Sequence, residues 1–305
     1  MIETAVWALV PVILLIGLGN LLRRSEFLES SFWSQAERAC YYLLLPALFF
    51  HGLTTADIND LPIWNLAGVL LASTLLVATL VFLAKPLMRV SGGEFTSVFQ
   101  GSIRFNNYIG VTVAAGVYGT EGIAFAALCN AVLVPTVNLL CVVVLSRFGS
   151  MRLTVLRVLK QVVTNPLILA CVAGILMQTA NFGLPPGIEP TLNYLGGAAM
   201  PLGLLCVGAA LQFTNTRAWV RPIALASIAK FVVLPAVTFL VAYLVGLGSQ
   251  GLVIAMLFQA LPTASSSYIL SRQLGGDAPL MAGTIAVQTL LGMLVLPVVL
   301  ILVSL

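Results

Sequence analysis

The sequence predicts an all-α integral membrane protein of ten transmembrane helices, arranged as two inverted five-helix repeats with the fourth and ninth helices broken. Three observations carry this. The 305 residues are 60% hydrophobic and only 8% charged, with a mean hydropathy of +1.08, whereas a soluble chain of this size has about 25% charged residues. The basic residues gather on alternate connections between apolar segments. The two halves of the chain also repeat one another's proline and polar landmarks.

A hydrocarbon core roughly 30 Å thick needs about 20 apolar residues as helix. Scanning on that basis gives spans at Thr4 to Leu22, Ser34 to Leu53, Ile63 to Leu83, Phe95 to Val117, Ile123 to Leu145, Val158 to Thr179, Leu192 to Leu211, Val220 to Leu244, Leu252 to Arg272 and Leu280 to Val303. The first, in "MIETAVWALVPVILLIGLGNLL", follows an acidic leader and has no small-residue cleavage site, so it reads as a retained span and not a signal peptide. Cys40, Cys129, Cys141, Cys171 and Cys206 all fall in apolar segments without metal-like spacing and read as small core residues.

Cytoplasmic connections accumulate Lys and Arg. One side of the ten spans receives Arg23, Arg24, Lys85, Arg89, Arg147, Arg152, Arg157, Lys160, Arg217, Arg221 and Arg272, with Arg38 near the same face. The opposite loops carry only acids: Glu3, Asp57, Asp60, Glu121 and Glu189. This predicts both termini on the non-cytoplasmic side of the cell (inner) membrane. Only Arg104 and Lys230 are left within spans.

Repetition follows the same division. "VPVILLIGLGNLL" around Pro11 is echoed by "NPLILACVAGILM" around Pro166, and "LLLPALFF" around Pro46 by "AAMPLGLL" around Pro201, with an offset of 155 residues in both pairs. Gln100 answers to Gln259, Tyr108-Ile109 to Tyr268-Ile269, and Pro135 to Pro297. The repeats are residues 1–150 and 151–305; five crossings per half make the second enter from the opposite side. Inverted repeats of this kind mark secondary transporters, whose sites lie at mid-depth beside discontinuous helices.

The fourth and ninth spans correspond under that symmetry, and both are interrupted. "RFNNYIG" places Asn106, Asn107 and Gly110 about halfway across, and "QALPTASSSYIL" places Pro262, Thr263, Ser265, Ser266 and Ser267 at the equivalent depth. Proline lacks a donor and clashes with the preceding turn, and Asn, Ser and Thr favour helix starts. Each segment therefore reads as two half-helices, the second presenting free N–H groups and partial positive charge to the centre. Unwound backbone at that depth must be buried in protein or line a wet cavity. Arg104 precedes the first break, and Lys230 lies in "ALASIAKFVVLP". A buried cation costs about 2.5–3.5 kcal/mol on insertion scales, so a mobile anion is the economical counter-charge. For Lys230 and Arg104 alike a structural role, snorkelling of the lysine or a pair with Glu37, stays open.

Gln100, Gln259, Asn130, Asn138 and Gln288 either line the cavity or join helices; Asn20 and His51 sit near span ends, at headgroup level; and Pro11, Pro46, Pro135, Pro166, Pro201, Pro235 and Pro297 are expected to kink helices. The lone histidine, near a face, does not suit an intramembrane serine protease. No Asp/His cluster suits a di-metal enzyme, and no phosphate-cradling loop suits ATP hydrolysis. No cofactor or metal is expected.

The ten spans, the repeat, "RFNNYIG" and "LPTASSSYILSRQLGGD" resemble bacterial members of the auxin efflux carrier family, relatives of the plant PIN auxin transporters that are often labelled malonate or organic-acid permeases. The resemblance implies that helices four and nine cross at mid-membrane with substrate beside the crossing. It also implies elevator-like motion against a scaffold of spans one, two, six and seven. The family's crossover asparagine would be Asn106, with Asn107 a competing alignment, and its ninth-span counterpart falls within Ser265 to Ser267. Phe105 stands where PIN proteins carry proline, and no mid-depth acid is present to hold sodium as in the distant bile acid symporters.

The combined reading is a secondary carrier of small organic anions, mono- or dicarboxylates such as malonate. Arg104, Asn106, Asn107, Thr263, Ser265, Ser266 and Ser267 would contact substrate, Gly110 and Pro262 would form the helix breaks, and Lys230 would be a further charge partner. An anion channel or an exporter of auxin-like aromatic carboxylates are the alternatives. The partners are the small anion and the lipid bilayer, not nucleic acid; a homodimer is an open assembly.

Overall fold

The structure, a computed structural model, describes residues 2–55, 63–150, 163–180, 183–211 and 219–304, with side chains from Trp7 to Val303 within those ranges. The loop charges Asp57, Asp60, Arg152, Arg157, Lys160 and Arg217, the side chain of Glu3 and the expected start of the sixth span lie outside the described residues.

Every regular element among the described residues is helical. In chain order they are α1 (Ile2–Arg24), α2 (Ser30–Ala39), a π-helical turn (Cys40–Leu44), α3 (Leu45–Thr55), α4 (Ile63–Leu83), the short α5 (Lys85–Met88), α6 (Gly92–Ile103) and α7 (Asn107–Phe148). Then come α8 (Pro166–Thr179), α9 (Ile188–Ala209), α10 (Val220–Ile228), a second π-helical turn (Ala229–Val233), α11 (Leu234–Val245), α12 (Ser249–Gln259), α13 (Ser266–Leu274) and α14 (Ala278–Ser304). Among the described residues, six helical stretches are long and apolar enough to cross a membrane: Trp7–Arg24, Ile63–Leu83, Gly92–Phe148, Ile188–Ala209, Val220–Val245 and Ala278–Val303. The chain is thus a multi-pass helical membrane protein. Large apolar side chains stand on its surface, Trp64, Leu240 and Leu294 among them, where acyl chains and not water would meet them.

The prolines do different jobs. Pro46 and Pro235 each follow a π turn through a Leu-Pro step: Leu45 N–H reaches back five residues to the Cys40 carbonyl, and Leu234 N–H to Ala229. Proline cannot donate and its ring collides with the carbonyl four residues earlier, so the widened turn relieves a clash that an α-turn would contain. Pro166, expected to kink a helix, instead begins one. It is the first residue of α8, and Asn165 caps that helix by accepting from Leu167 and Ile168 N–H at 2.9 and 3.4 Å. Inside α7 the chain turns at Gly119 (φ 59°, ψ −133°), a conformation open to glycine and strained for other residues.

The chain divides into two compact units. The first comprises Met1–Leu61, Asn107–Ala131 and Lys160–Ala210. Its tightest seam is between α1 and α9. A side chain at Gly19 would overlap the Leu205 carbonyl, and one at Gly208 would overlap the Ile16 carbonyl. Small residues of this kind let backbones approach where lipid gives helices no hydrophobic reason to associate. Asn20 belongs to this seam, donating to the Gly208 carbonyl at 3.2 Å; it ties two helices together and is not a headgroup residue.

The second unit comprises Pro62–Asn106, Val132–Leu159 and Leu211–Leu305. Here α4 packs on α11, α6 on α10, and α14 on α12 and α13. Gln259, the last residue of α12, donates to the Leu70 carbonyl, Ser73 Oγ and Thr74 Oγ1 of α4 at 3.2, 2.8 and 2.9 Å. At the end bearing α5, Lys85 lies over the rings of Phe95 and Phe148, and Arg147 over Phe148, at 5.7, 4.8 and 5.7 Å from the centroids. Such contacts hold cations beside apolar surface.

Candidate functional site

Both helix breaks are present, and Arg104 at one meets Ser266 at the other within the second unit. α6 starts with a reciprocal cap: Ser91 Oγ accepts from Glu94 N–H at 3.2 Å and Glu94 Oε2 from Ser91 N–H at 2.7 Å. The helix is buried from Phe95 to Ile103 and stops at Arg104, whose backbone is extended (φ −75°, ψ 156°). Arg104, Phe105 and Asn106 form the break, and helix resumes at Asn107. In the other segment α12 ends at Gln259, residues 260–265 are unwound around Pro262, and α13 begins at Ser266.

Gly110, expected at the break, is helical and lies three residues inside α7. Glycine is tolerated in a helix at a cost of about 1 kcal/mol, and the extended backbone falls on larger residues before it.

The second break keeps its backbone satisfied through Gln288 of α14. Thr263 N–H donates to Gln288 Oε1 at 3.2 Å, and the Thr263 hydroxyl lies 2.6 Å from the same oxygen and 3.2 Å from the Gly101 carbonyl. Gln288 Nε2 donates to the Gly101 carbonyl at 2.9 Å. Thr263, expected to contact substrate, is fully buried and its hydroxyl is committed to this brace. Gln288 is a helix-joining residue, one of the two roles open to it from sequence. Gln288→Leu should lower stability by about 2–3 kcal/mol, because it leaves Thr263 N–H and the Gly101 carbonyl short of a partner in a dry site. Thermal unfolding in detergent is the measurement.

Arg104 connects the two breaks. It is 7% exposed; Nη1 donates to Asn138 Oδ1 on α7 at 2.8 Å and Nη2 to Ser266 Oγ at 3.1 Å. Cys141, one turn beyond Asn138, lies beside the same guanidinium. Further along, Gln100 Nε2 donates to Ser271 Oγ at 2.8 Å and Ser97 Oγ to the Asp277 carbonyl at 2.8 Å. The pairs 104/266, 100/271 and 97/277 thus run in opposite directions along α6 and the α13 region, an antiparallel polar ladder. Ser97 and Gln100, three residues apart, share a face of α6, and that spacing is the part of the ladder the sequence carries.

Two polar atoms beside the ladder are buried without a hydrogen-bond partner among the described residues: Ser267 Oγ and Gln100 Oε1. Buried polar atoms are nearly always paired, so orphans next to a cation call for an explanation. Arg104 uses two of the five N–H groups a guanidinium carries. The cluster therefore offers a fixed positive charge, a hydroxyl and an amide oxygen.

The other expected residues are placed less uniformly. Asn106 is buried at the end of the second unit. Asn107 opens α7, is half-buried and belongs to the first unit. Ser265 and Ser266 are half-buried at the start of α13. The free N–H groups expected there are partly used: Ser267 N–H bonds the Ala264 carbonyl at 3.1 Å and Tyr268 N–H the Ser265 carbonyl at 3.0 Å, because the first turn is tightened to 3₁₀ geometry. Lys230 lies in the second π turn, fully buried, with Nζ unpartnered among the described residues; the side chain does not snorkel.

An all-helical membrane protein with paired broken helices and a buried polar cluster at their ends is built as a transporter. Comparison with known proteins specifies the kind. A family model described as membrane transport protein matches residues 149–300. A transporter of Methanothermobacter thermautotrophicus, not further characterised, is 25% identical over 94% of both chains. A similarly described transporter of Methanocaldococcus jannaschii is 26% identical over 84% of both. A protein of Rhizobium meliloti (strain 1021) that carries the provisional name malonate transporter is 26% identical over 82% of this chain and 80% of its own. Residues 149–300 thus match this membrane transport protein family, the auxin efflux carriers, and the relatives that cover most of the chain carry the name of transporters.

Proposed function

We propose that the protein is a secondary carrier of small organic anions, carboxylates such as malonate, in the cell membrane. It would cross the bilayer ten times as two inverted repeats, residues 1–150 and 151–305, with both termini outside the cytoplasm and the broken helices crossing at mid-depth. The observation that carries the reading is Arg104, a buried cation at one break that reaches Ser266 at the other. No acid is hydrogen-bonded to it among the described residues. A carboxylate would take the charge and the unused donors, with Ser267 and Asn106 beside it.

The division of the chain supports elevator-type alternating access. The first unit gathers α1, α2, α3, α8 and α9, the helices of spans one, two, six and seven, while spans three, eight, nine and ten fall in the second with Arg104. A carrier that moves its site needs such a partition. The malonate named for the Rhizobium relative is the first substrate to try. Purified protein in liposomes preloaded with unlabelled malonate should accumulate labelled malonate by counterflow, with saturation. A flux linear in concentration, or no counterflow for any small carboxylate, would refute a carrier of this class.

A further inference from the structure

The second unit holds a second buried basic side chain that the Arg104 cluster leaves unused. Lys230 is fully buried, and its Nζ has no hydrogen-bond partner among the described residues. Ser227, one turn earlier on the same side of the helix, is also buried, and its Oγ is likewise unpartnered. Among the described residues the second unit contains two acids, Glu94 and Asp277. Each is bound at a helix start: Glu94 to Ser91 N–H, and Asp277 Oδ1 to Leu280 N–H at 3.0 Å. Neither provides Lys230 with a counter-charge.

The position of Lys230 connects it to the breaks. α10 packs on α6 so closely that a side chain at Gly101 would come within 2.9 Å of both Ala226 Cβ and Thr284 Cγ2. Gly101 is three residues before Arg104, and its carbonyl receives Gln288 Nε2. Lys230 follows Ala226 by four residues, about 6 Å of helical rise, and its π turn also packs on α6. Two basic side chains and an orphan hydroxyl thus lie on α6 or on elements packed against it, while both described acids of the second unit are bound elsewhere. A dry site of that kind favours a ligand carrying two negative charges over one carrying a single charge.

We propose that Lys230, with Ser227, is a second anion-recognising position, so that the carrier selects dicarboxylates over monocarboxylates. This rests on the carboxylate-carrier reading and adds to it the charge of the substrate and the residue that sets it. Arg104 meets one carboxylate of the ligand; Lys230 answers the second.

The experiment compares malonate and succinate with their monomethyl esters, which keep nearly the same shape and remove one charge. Transport in liposomes and ligand-induced thermal shifts are measured for the wild type, Lys230→Met, Lys230→Arg and Ser227→Ala. The wild type should prefer the dianions, and Lys230→Met should reduce the ratio of dianion to monoester by at least about tenfold. Lys230→Arg should keep most of that ratio, and Ser227→Ala should lower it less than Lys230→Met. If Lys230→Met lowers both ligands equally, Lys230 is structural; if it changes neither, the position does not read the anion. Either result overturns the inference while the carrier reading stands. A wild type that transports neither dianions nor monoesters overturns both. Should Lys230→Met fail to fold, Lys230→Gln gives the same comparison.

Discussion

Arg104→Ala should reduce transport of labelled dicarboxylate by two to three orders of magnitude while leaving the protein folded. Removing one member of a buried charge pair costs about 3–5 kcal/mol, because the other charge stays behind uncompensated, and each 1.4 kcal/mol is a factor of ten. Substrate bound at the breaks would face that penalty in the variant. The fold should tolerate the change better. Arg104 is an end residue of α6 and not an interior one, and Asn138, to which it donates, is itself half-buried.

Two further variants separate charge from geometry. Arg104 spans Asn138 and Ser266 with different nitrogens of one planar group. Lysine, a point charge on a flexible stem, cannot hold both at once; Arg104→Lys should therefore recover only part of the activity. Arg104→Gln keeps a donor and loses the charge, and should behave like alanine. Labelled-malonate counterflow at matched protein loading measures all three. If activity survives in Arg104→Ala combined with Asn106→Ala, the anion binds elsewhere.

The helix breaks were legible because proline and clustered Asn and Ser contradict an apolar helix, and the contradiction has a short list of solutions. Ile63–Leu83 was legible to the residue, since nothing in that stretch competes with helix. Gly110 misled for an instructive reason: glycine permits a break but does not require one, and the extended backbone falls on Arg104, Phe105 and Asn106, where tertiary partners impose it. The brace from Gln288 through Thr263 to Gly101 joins residues as much as 187 apart. No local pattern announces such a pairing; sequence gives only polar residues in apolar helices, which could as well line water. The same limit applies at Pro166, where the preceding asparagine turns a kink residue into a helix start. Asn165 was the available clue, as an N-cap residue immediately before proline.

The largest stability effect should come from the first unit, at the seam between α1 and α9. Gly208→Val, or Gly19→Val, places a branched side chain where the facing helix presents a backbone carbonyl, Ile16 in one case and Leu205 in the other. A side-chain obstacle could rotate away, but a carbonyl within a helix cannot. The helices must separate, losing their dispersion contacts and the bond from Asn20 Nδ2 to the Gly208 carbonyl. Overpacking typically costs about 1–3 kcal/mol, and these positions should lie at or above the top of that range. Because both substitutions act by separating the same helices, the double variant should cost clearly less than the sum of the two. Thermal unfolding in detergent, run as a double-mutant cycle, gives that coupling directly. Simple additivity, or single-variant losses under about 1 kcal/mol, would mean that the α1–α9 contact is not a close-packed seam in the folded protein.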